Sequence, residues 1–293
     1  MVAPTPAVFV TGGNAGIGKA LCKQLAGEYG WHVFLGSRNL ERGADALDEV
    51  NTYAVGKGGH LATLVQCDTG RDDSVREAAE QVRAALDGHF LFAIVNNAGT
   101  GLQHKVPEEE VINTNFFGPK RVCEAFIPLL ASGGRIVNVG SGAGPKYVES
   151  CADIAVKRKL VSWRTTVDEL VALNSEPKLS DLLKAGRMGA YGLSKASLST
   201  YGMWLSQQPE VAERRIIVNT ISPGFIATAI VKGFGAKTPP EEGTVSIRHC
   251  LTAECDKLGA GFYYGSDGVR SPLHVTRNPG EPEYDGIEPI FDG

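Results

Sequence analysis

Two tyrosines in the sequence are followed four residues later by a lysine, a pairing that can support proton transfer. The pair Tyr53 and Lys57 runs into a glycine cluster, so we expect it at a helix end or in a loop. The pair Tyr191 and Lys195 continues into a sustained helical pattern, where positions i and i+4 share a face. An ammonium near a phenol favours the phenolate, so we expect a lowered pKa for Tyr191 and a role as acid. Taken alone, Tyr191 is better interpreted as a partly buried aromatic of an amphipathic helix.

Polar segments follow several apolar runs of strand length. They are residues 96–99 (Asn-Asn-Ala-Gly), Ser141 at the end of a strand, and residues 222–228 (Ser-Pro-Gly-Phe-Ile-Ala-Thr). In open α/β sheets the ligand crevice lies beyond the carboxyl ends of the strands, so these segments are expected to meet there. A further segment, residues 113–118 (Asn-Thr-Asn-Phe-Phe-Gly), opens a helical stretch.

A glycine-rich turn joins the first predicted strand to the first predicted helix. Its glycines, Gly12, Gly16 and Gly18, permit a tight turn and close approach of a pyrophosphate to the helix N-terminus. Asn14 and Ile17 lie within the same turn. A plain strand-to-helix turn without a ligand is the alternative.

The second predicted strand ends in Arg38, with no acidic residue at that point. An acid there would bind the ribose 2′-hydroxyl of NAD, whereas an arginine pairs with the 2′-phosphate of NADP. Arg42 lies one helical turn further on. We therefore predict NADP(H), the alternative being that Arg38 is only an exposed charge before a helix.

Short apolar strands alternate with amphipathic helices along the chain, which predicts an α/β fold with a doubly wound, Rossmann-type parallel sheet. Strands are expected at 7–10, 32–35, 60–67, 90–95, 135–139, 215–221 and 261–264. Helices are expected at 17–29, 40–55, 72–86, 111–130, 191–207 and 240–258. We expect one dinucleotide-binding domain over residues 1–293.

Composition excludes several other classes of protein. The chain has 293 residues, and its 43% hydrophobic and 21% charged content is typical of a globular protein. A net charge of −4 lacks the basic excess of a nucleic-acid binder, and no segment has the length of a membrane span. The six cysteines form no C-x-x-C pair and the histidines no zinc motif, so we expect free thiols and no metal. These features favour a soluble, cytoplasmic protein without nucleic-acid or membrane partners.

Together, over about residues 7–265, these motifs resemble the short-chain dehydrogenase/reductase family. The resemblance implies that Tyr191 donates a proton to the substrate oxygen, that Ser141 orients this oxygen, and that Lys195 also holds the nicotinamide ribose. It implies that Asn115 keeps a water in a proton relay. The implied cofactor-binding residues are Gly12, Asn14, Gly16, Ile17, Gly18, Arg38, Asp68, Asn96, Ala98, Gly99, Tyr191, Lys195, Pro223, Gly224, Ile226 and Thr228. A helix N-cap is the alternative for Asp68.

Fifty positions separate Ser141 from Tyr191, too many for a structureless loop. Within this insertion, about residues 142–188, Thr166 and Glu169 fit a capping box before a helix near 167–174, and a second helix is expected over 179–184. A long insertion here resembles the monomeric carbonyl reductases, which implies a monomer. Ala15 departs from that subgroup, where a lysine commonly meets the 2′-phosphate. The proline-rich tail, about 271–293, is expected to be irregular.

The function expected from these features is NADPH-dependent reduction of a ketone, aldehyde or quinone to an alcohol. One alternative is an alcohol or hydroxysteroid dehydrogenase working oxidatively. The other is a dinucleotide-binding regulator without turnover, which would be expected to lack Tyr191, Lys195 or Ser141.

Overall fold

A parallel seven-stranded sheet forms the centre of the computed structural model, which describes residues 5–175, 179–255 and 257–286. The strand order is β3-β2-β1-β4-β5-β6-β7. The strands are β1 (Ala7–Val10), β2 (His32–Ser37), β3 (Thr63–Gln66), β4 (Leu91–Asn96), β5 (Leu130–Val139), β6 (Ile217–Ile221) and β7 (Tyr263–Tyr264). The predicted doubly wound α/β fold is confirmed.

Helices cover both faces of this sheet. They are α1 (Gly16–Gly27), α2 (Leu40–Lys57), α3 (Asp72–Leu86), α4 (Glu108–Ile112), α5 (Gly118–Phe126), α6 (Ala143–Ser150), α7 (Ile154–Leu160), α8 (Val167–Leu173), α9 (Leu179–Ala185), α10 (Gly189–Leu205), α11 (Pro209–Ala212) and α12 (Val245–Thr252). Alternate residues of a strand pack on opposite faces of the sheet. Phe9 lies in the core beneath α3, α5 and α10. Val8 and Val10 lie in the core beneath α1 and α2.

Several predicted elements are shorter or broken in the structure. The strands expected over 60–67 and 261–264 are reduced to β3 and β7. The helix expected over 111–130 is interrupted by a π-helical turn, Asn113–Phe117, because Pro119 has no N–H to continue the α-helical ladder. The strand expected from residue 215 begins at Ile217, since Arg215 has a left-handed φ of +54°. The helix expected over 240–258 is a 3₁₀ turn, Glu242–Thr244, followed by α12. Residue 256 lies outside the described residues.

The insertion is helical, as expected, and it wraps α10. Its capping box is confirmed: the Glu169 N–H donates to Thr166 Oγ1 at 3.3 Å and the Thr166 N–H to Glu169 Oε2 at 3.1 Å. Helices α6 and α7, which the sequence pattern did not predict, precede α8 and α9. Along α10 every residue is buried except Gly189, Tyr191 and Trp204. Positions 176–178 of the insertion and 287–293 of the tail lie outside the described residues.

All six cysteines are free, five of them buried and Cys255 exposed. Over the described ranges, no helix is long and apolar enough to cross a membrane. The same ranges contain no cluster of three or more histidine, cysteine or acidic side chains placed to hold a metal ion.

Candidate active site

The carboxyl ends of the strands open onto one cleft of about 780 Å³. Strand β5 ends at Val139, two residues before Ser141, and α10 brings Tyr191 and Lys195 to the same place. The ammonium of Lys195 donates to the Val139 carbonyl oxygen at 2.8 Å and lies 5.9 Å from the centre of the Tyr191 ring. The three predicted catalytic side chains that line the cleft are therefore neighbours.

Burial controls the protonation of these side chains. Burial raises the pKa of Tyr191, and a hydrogen bond with Ser141 opposes this only in part. The lowered pKa expected for Tyr191 is therefore wrong for this structure. The reason is desolvation of the phenol itself, which disfavours its charged form more than the Ser141 hydrogen bond favours it. Burial also lowers the pKa of Lys195, to about 8. A neutral phenol remains a competent proton donor near neutral pH.

Asn115 lies in the π-helical turn and is completely buried. Its Oδ1 accepts from the Thr100 N–H at 2.9 Å, and its Nδ2 donates to the Thr100 carbonyl at 2.9 Å and to Ser194 Oγ at 3.2 Å. The side chain thus lies behind the cleft and fixes the loop after β4. The nearby Asn113 instead donates to the Gly70 carbonyl at 3.1 Å, towards the other end of the site.

The glycine-rich turn lies where β1 meets α1. Gly12 and Gly16 have left-handed φ values of +64° and +52°. A Cβ on Gly18 would lie 2.4 Å from both Asn97 Nδ2 and the Gly12 carbonyl oxygen, so Gly18 permits close packing and does not itself line the cleft. Asn14, Gly16 and Ile17 line the cleft at the start of α1.

The first turn of α1 has free backbone donors. Its N-cap residue, Ala15, supplies no side-chain hydrogen bond. In the described part of the chain, no side chain accepts a hydrogen bond from the backbone N–H groups of this turn. Uncapped N–H groups beside left-handed glycines form an anion-binding geometry.

Two arginines line the cleft beyond β2. Arg38 and Arg42 are both exposed, and neither guanidinium has a hydrogen-bond or ion-pair partner among the described residues. Between them, Asn39 caps α2 by accepting from the Arg42 N–H at 2.8 Å. Two guanidinium groups without partners at this edge of the sheet suit a phosphate better than a neutral hydroxyl.

The ends of β3 and β4 contribute the next wall. Asp68 lines the cleft and accepts from the Gly70 N–H at 3.0 Å in a turn before α3, so it does not cap that helix.

Asn96 was expected to line the cleft, but its side chain is buried and donates to Asn138 Oδ1 at 2.8 Å. The cleft is lined instead by Asn97, whose amide also donates to the Thr11 carbonyl oxygen at 2.9 Å. Ala98 and Gly99 follow it along the cleft.

The segment after β6 closes the catalytic end. Pro223, Gly224, Ile226 and Thr228 all line the cleft. Gly224 has a φ of +90°, and Ile226 forms a parallel bridge with Thr238 that fixes this loop. Ser222 fixes the segment that follows β5, since its Oγ accepts from the Gly142 N–H at 3.1 Å.

Several residues that line the cleft were absent from the sequence-based set. Thr100 and His104 follow β4, with Thr100 Oγ1 2.8 Å from His104 Nδ1. Arg277 and its neighbours arrive from the tail. No local motif marks these positions, because tertiary contacts alone bring them to the site.

Comparisons with known proteins agree with this geometry. The model of the short chain dehydrogenase family matches residues 6–153, about half of the chain. Carbonyl reductase (NADPH) 1 from Pongo abelii is 31% identical over 250 residues, covering 80% of this chain and 86% of the relative. The enzyme of that name from Mus musculus is 29% identical over 258 residues, covering 83% and 89%.

Among solved structures, salutaridine reductase from Papaver somniferum superimposes with a TM-score of 0.72 at 25% identity. That alignment covers 88% of this chain and 99% of the other. This chain belongs to the short chain dehydrogenase family and is an oxidoreductase of that type. The two relatives named above are carbonyl reductases, and the family uses NAD(P).

The cleft has the features that a dinucleotide requires. A pyrophosphate needs free N–H groups and a backbone without side chains, and the α1 N-terminus with Gly12 and Gly16 supplies both. At the opposite end, Lys195 offers a buried cation beside Tyr191 and Ser141. The N-terminus of α1 and the group of Ser141, Tyr191 and Lys195 thus border one continuous cleft.

Proposed function

We propose that this protein reduces carbonyl compounds to alcohols with NADPH, and that Tyr191 donates the proton. The observation that carries this proposal is the meeting of Tyr191, Ser141 and Lys195 in a cleft that also reaches Arg38 and Arg42. The similarity to NADPH carbonyl reductases supports it.

When bound, NADPH supplies the hydride. Ser141 and Tyr191 both present hydroxyl donors at the catalytic end, where negative charge develops on the substrate oxygen. Their hydrogen bonds strengthen as this charge grows, which lowers the barrier. Tyr191 then transfers its proton to the oxygen, and Lys195 stabilises the resulting phenolate because it lies one helical turn away.

The same proposal assigns the two ends of the cofactor. Pro223, Gly224, Ile226 and Thr228 would flank the nicotinamide, while Asp68 and residues 97–99 would contact the adenosine half. Arg38 would bind the 2′-phosphate, assisted by Arg42. The backbone donors of α1 would hold the pyrophosphate.

A direct test is the oxidation of NADPH, followed at 340 nm, with a panel of ketones, aldehydes and quinones. We expect turnover with at least one class and weaker turnover with NADH. Tight NADPH binding without turnover on any of them would favour a regulator instead. A rate that is appreciable only with alcohols and NADP⁺ would favour an oxidative dehydrogenase.

Alkaline pH should weaken the enzyme through Lys195. Because its pKa is lowered to about 8, its ammonium form is lost as the pH rises through that value. We expect kcat/KM for NADPH, which reports the free enzyme, to fall about tenfold per pH unit above this point. Lys195→Arg keeps a cation at every accessible pH. The NADPH affinity of the parent protein, from quenching of tryptophan fluorescence, should decline between pH 8 and 10, whereas that of Lys195→Arg should not. A decline in the variant equal to that of the parent would contradict the assignment.

We also propose that the protein is a monomer. The insertion helices α6, α7, α8 and α9 cover α10, which has almost no exposed surface left for a subunit interface. Sedimentation equilibrium should therefore return a mass near 31.1 kDa. A mass near twice that value would contradict this prediction.

A further inference from the structure

The chain beyond β7 folds back across the open side of the cleft. Tyr264 forms an antiparallel bridge with Arg270, and the Ser271 N–H donates to the Tyr263 carbonyl oxygen at 2.8 Å. Further along, Thr276 and Arg277 reach the cleft. We call residues 271–280 the strap.

One ion pair anchors the strap to the loop after β7. The guanidinium of Arg277 donates to both carboxylate oxygens of Asp267, at 3.0 and 2.9 Å, and only 5% of the Arg277 side chain is exposed. Its Nε donates to the Pro282 carbonyl at 2.9 Å. The carboxylate of Asp267 also accepts from the Gly280 N–H at 3.2 Å. Such a bidentate, buried pair fixes geometry in a way that a single exposed contact does not.

Asp267 stays ionised in this setting. Partial burial raises its pKa, but the hydrogen bonds from Arg277 and from the N–H groups of Gly280 and Val269 outweigh burial and leave the pKa below its usual value. The anchor is therefore intact at neutral pH.

The strap lies at the catalytic end of the cleft. Ser266, next to Asp267, approaches Gly224 so closely that a Cβ there would lie 3.1 Å from the serine Cβ. Thr276 Oγ1 donates to Glu149 Oε2 at 3.4 Å, on the helix that follows Ser141. The strap thus spans from the β7 loop to α6 around the reacting groups.

The cleft also has two large exposed apolar side chains, beside polar ones such as His104 and Lys146. Met188 and Phe225 line it with 44% and 54% of their surfaces exposed, although large apolar side chains are normally covered. A small aldehyde held at Ser141 and Tyr191 would leave these surfaces bare. A substrate with two or more fused rings has enough apolar surface to cover them.

We propose that Asp267 and Arg277 are positioning residues that hold the strap as the outer wall of the substrate pocket and thereby select multi-ring carbonyl compounds over small aldehydes. This inference rests on the proposed carbonyl reduction. The two side chains act through the strap, whose Thr276 and Asn278 face the cleft.

The test compares two substrates, the bicyclic ketone 2-decalone and the small aldehyde butanal, in Asp267→Asn and Arg277→Met. We expect KM for 2-decalone to rise about tenfold in each variant, because binding shared by ground and transition states is lost. The kcat for 2-decalone, the KM for NADPH and the kinetics with butanal should stay within about twofold of the parent. Arg83→Met, which removes an exposed ion pair with Glu80 on α3, is the matched control and should change none of them.

A third variant, Thr276→Trp, tests the wall without disturbing the anchor, so that the inference remains testable if the anchor variants fail to fold. It should raise KM for 2-decalone and leave butanal unaffected. Equal effects on both substrates, an effect on NADPH alone, or no effect of Thr276→Trp would overturn the inference. Failure of the proposed function gives a different result. A parent protein that reduces neither compound but turns over another member of the panel contradicts this inference alone, whereas one that reduces no member of the panel contradicts the proposed function as well.

Discussion

Replacement of Tyr191 by phenylalanine is expected to lower the turnover of carbonyl reduction by at least ~10²-fold, the usual contribution of a positioned acid. The phenol lies at the floor of the cleft beside Ser141 and Lys195, whereas the ring itself packs against the hydrophobic core. Removing only the hydroxyl therefore leaves packing in place and removes the proton. NADPH affinity, measured by tryptophan fluorescence, should change little.

The chain contains its own control for this experiment. Tyr53→Phe removes a hydroxyl from the other tyrosine–lysine pair, which lies at the end of α2 as predicted. The Tyr53 hydroxyl donates to Glu28 at 2.8 Å and lies outside the cleft. This variant should keep parental turnover. Near-normal turnover of Tyr191→Phe would refute the assignment of Tyr191 as proton donor.

Reversal of the charge at Arg38 is expected to change the cofactor preference. A hydrogen bond to a charged group contributes about 1.5–3 kcal/mol, so Arg38→Asp should raise KM for NADPH by ~10- to 100-fold. NADH has no 2′-phosphate and should bind no worse, because a carboxylate can accept from its ribose hydroxyl. We assign the expected preference mainly to Arg38, because the glycine-rich turn has Ala15 and no lysine that could pair with the 2′-phosphate.

The measurement is the ratio of kcat/KM for NADPH to that for NADH. It should favour NADPH in the parent protein and fall steeply in Arg38→Asp. Arg83→Asp, on the exposed face of α3 and outside the cleft, makes the same charge change and should leave the ratio unaltered. A parent protein that uses both cofactors equally would contradict the role of Arg38.

Local patterns in the sequence were sufficient to predict the fold and the meeting of Ser141, Tyr191 and Lys195 at one edge of the sheet. Apolar runs between amphipathic helices fix a parallel sheet, since only strands covered on both faces need to be apolar throughout. Spacing of four residues on a helix places Tyr191 beside Lys195 whatever the tertiary structure is. A strand that ends at Val139 brings Ser141 to the same edge.

Features that depend on orientation or on distant contacts could not be predicted in this way. Two adjacent amides, Asn96 and Asn97, follow the same apolar run, and the exact strand end decides which one faces the cleft. The pKa of Tyr191 depends on burial, which spacing does not reveal. The return of the strap depends on the ion pair of Arg277 with Asp267, two residues that no motif connects.

Transfer of deuterium from the cofactor tests the central claim most directly. The parent protein would be incubated with NADPH deuterated at nicotinamide C4, on the transferable face, together with a ketone that it turns over. Mass spectrometry of the alcohol should find one deuterium, bound to the former carbonyl carbon. Consumption of NADPH without deuterium in the alcohol, or no alcohol at all, would contradict direct hydride transfer in this cleft.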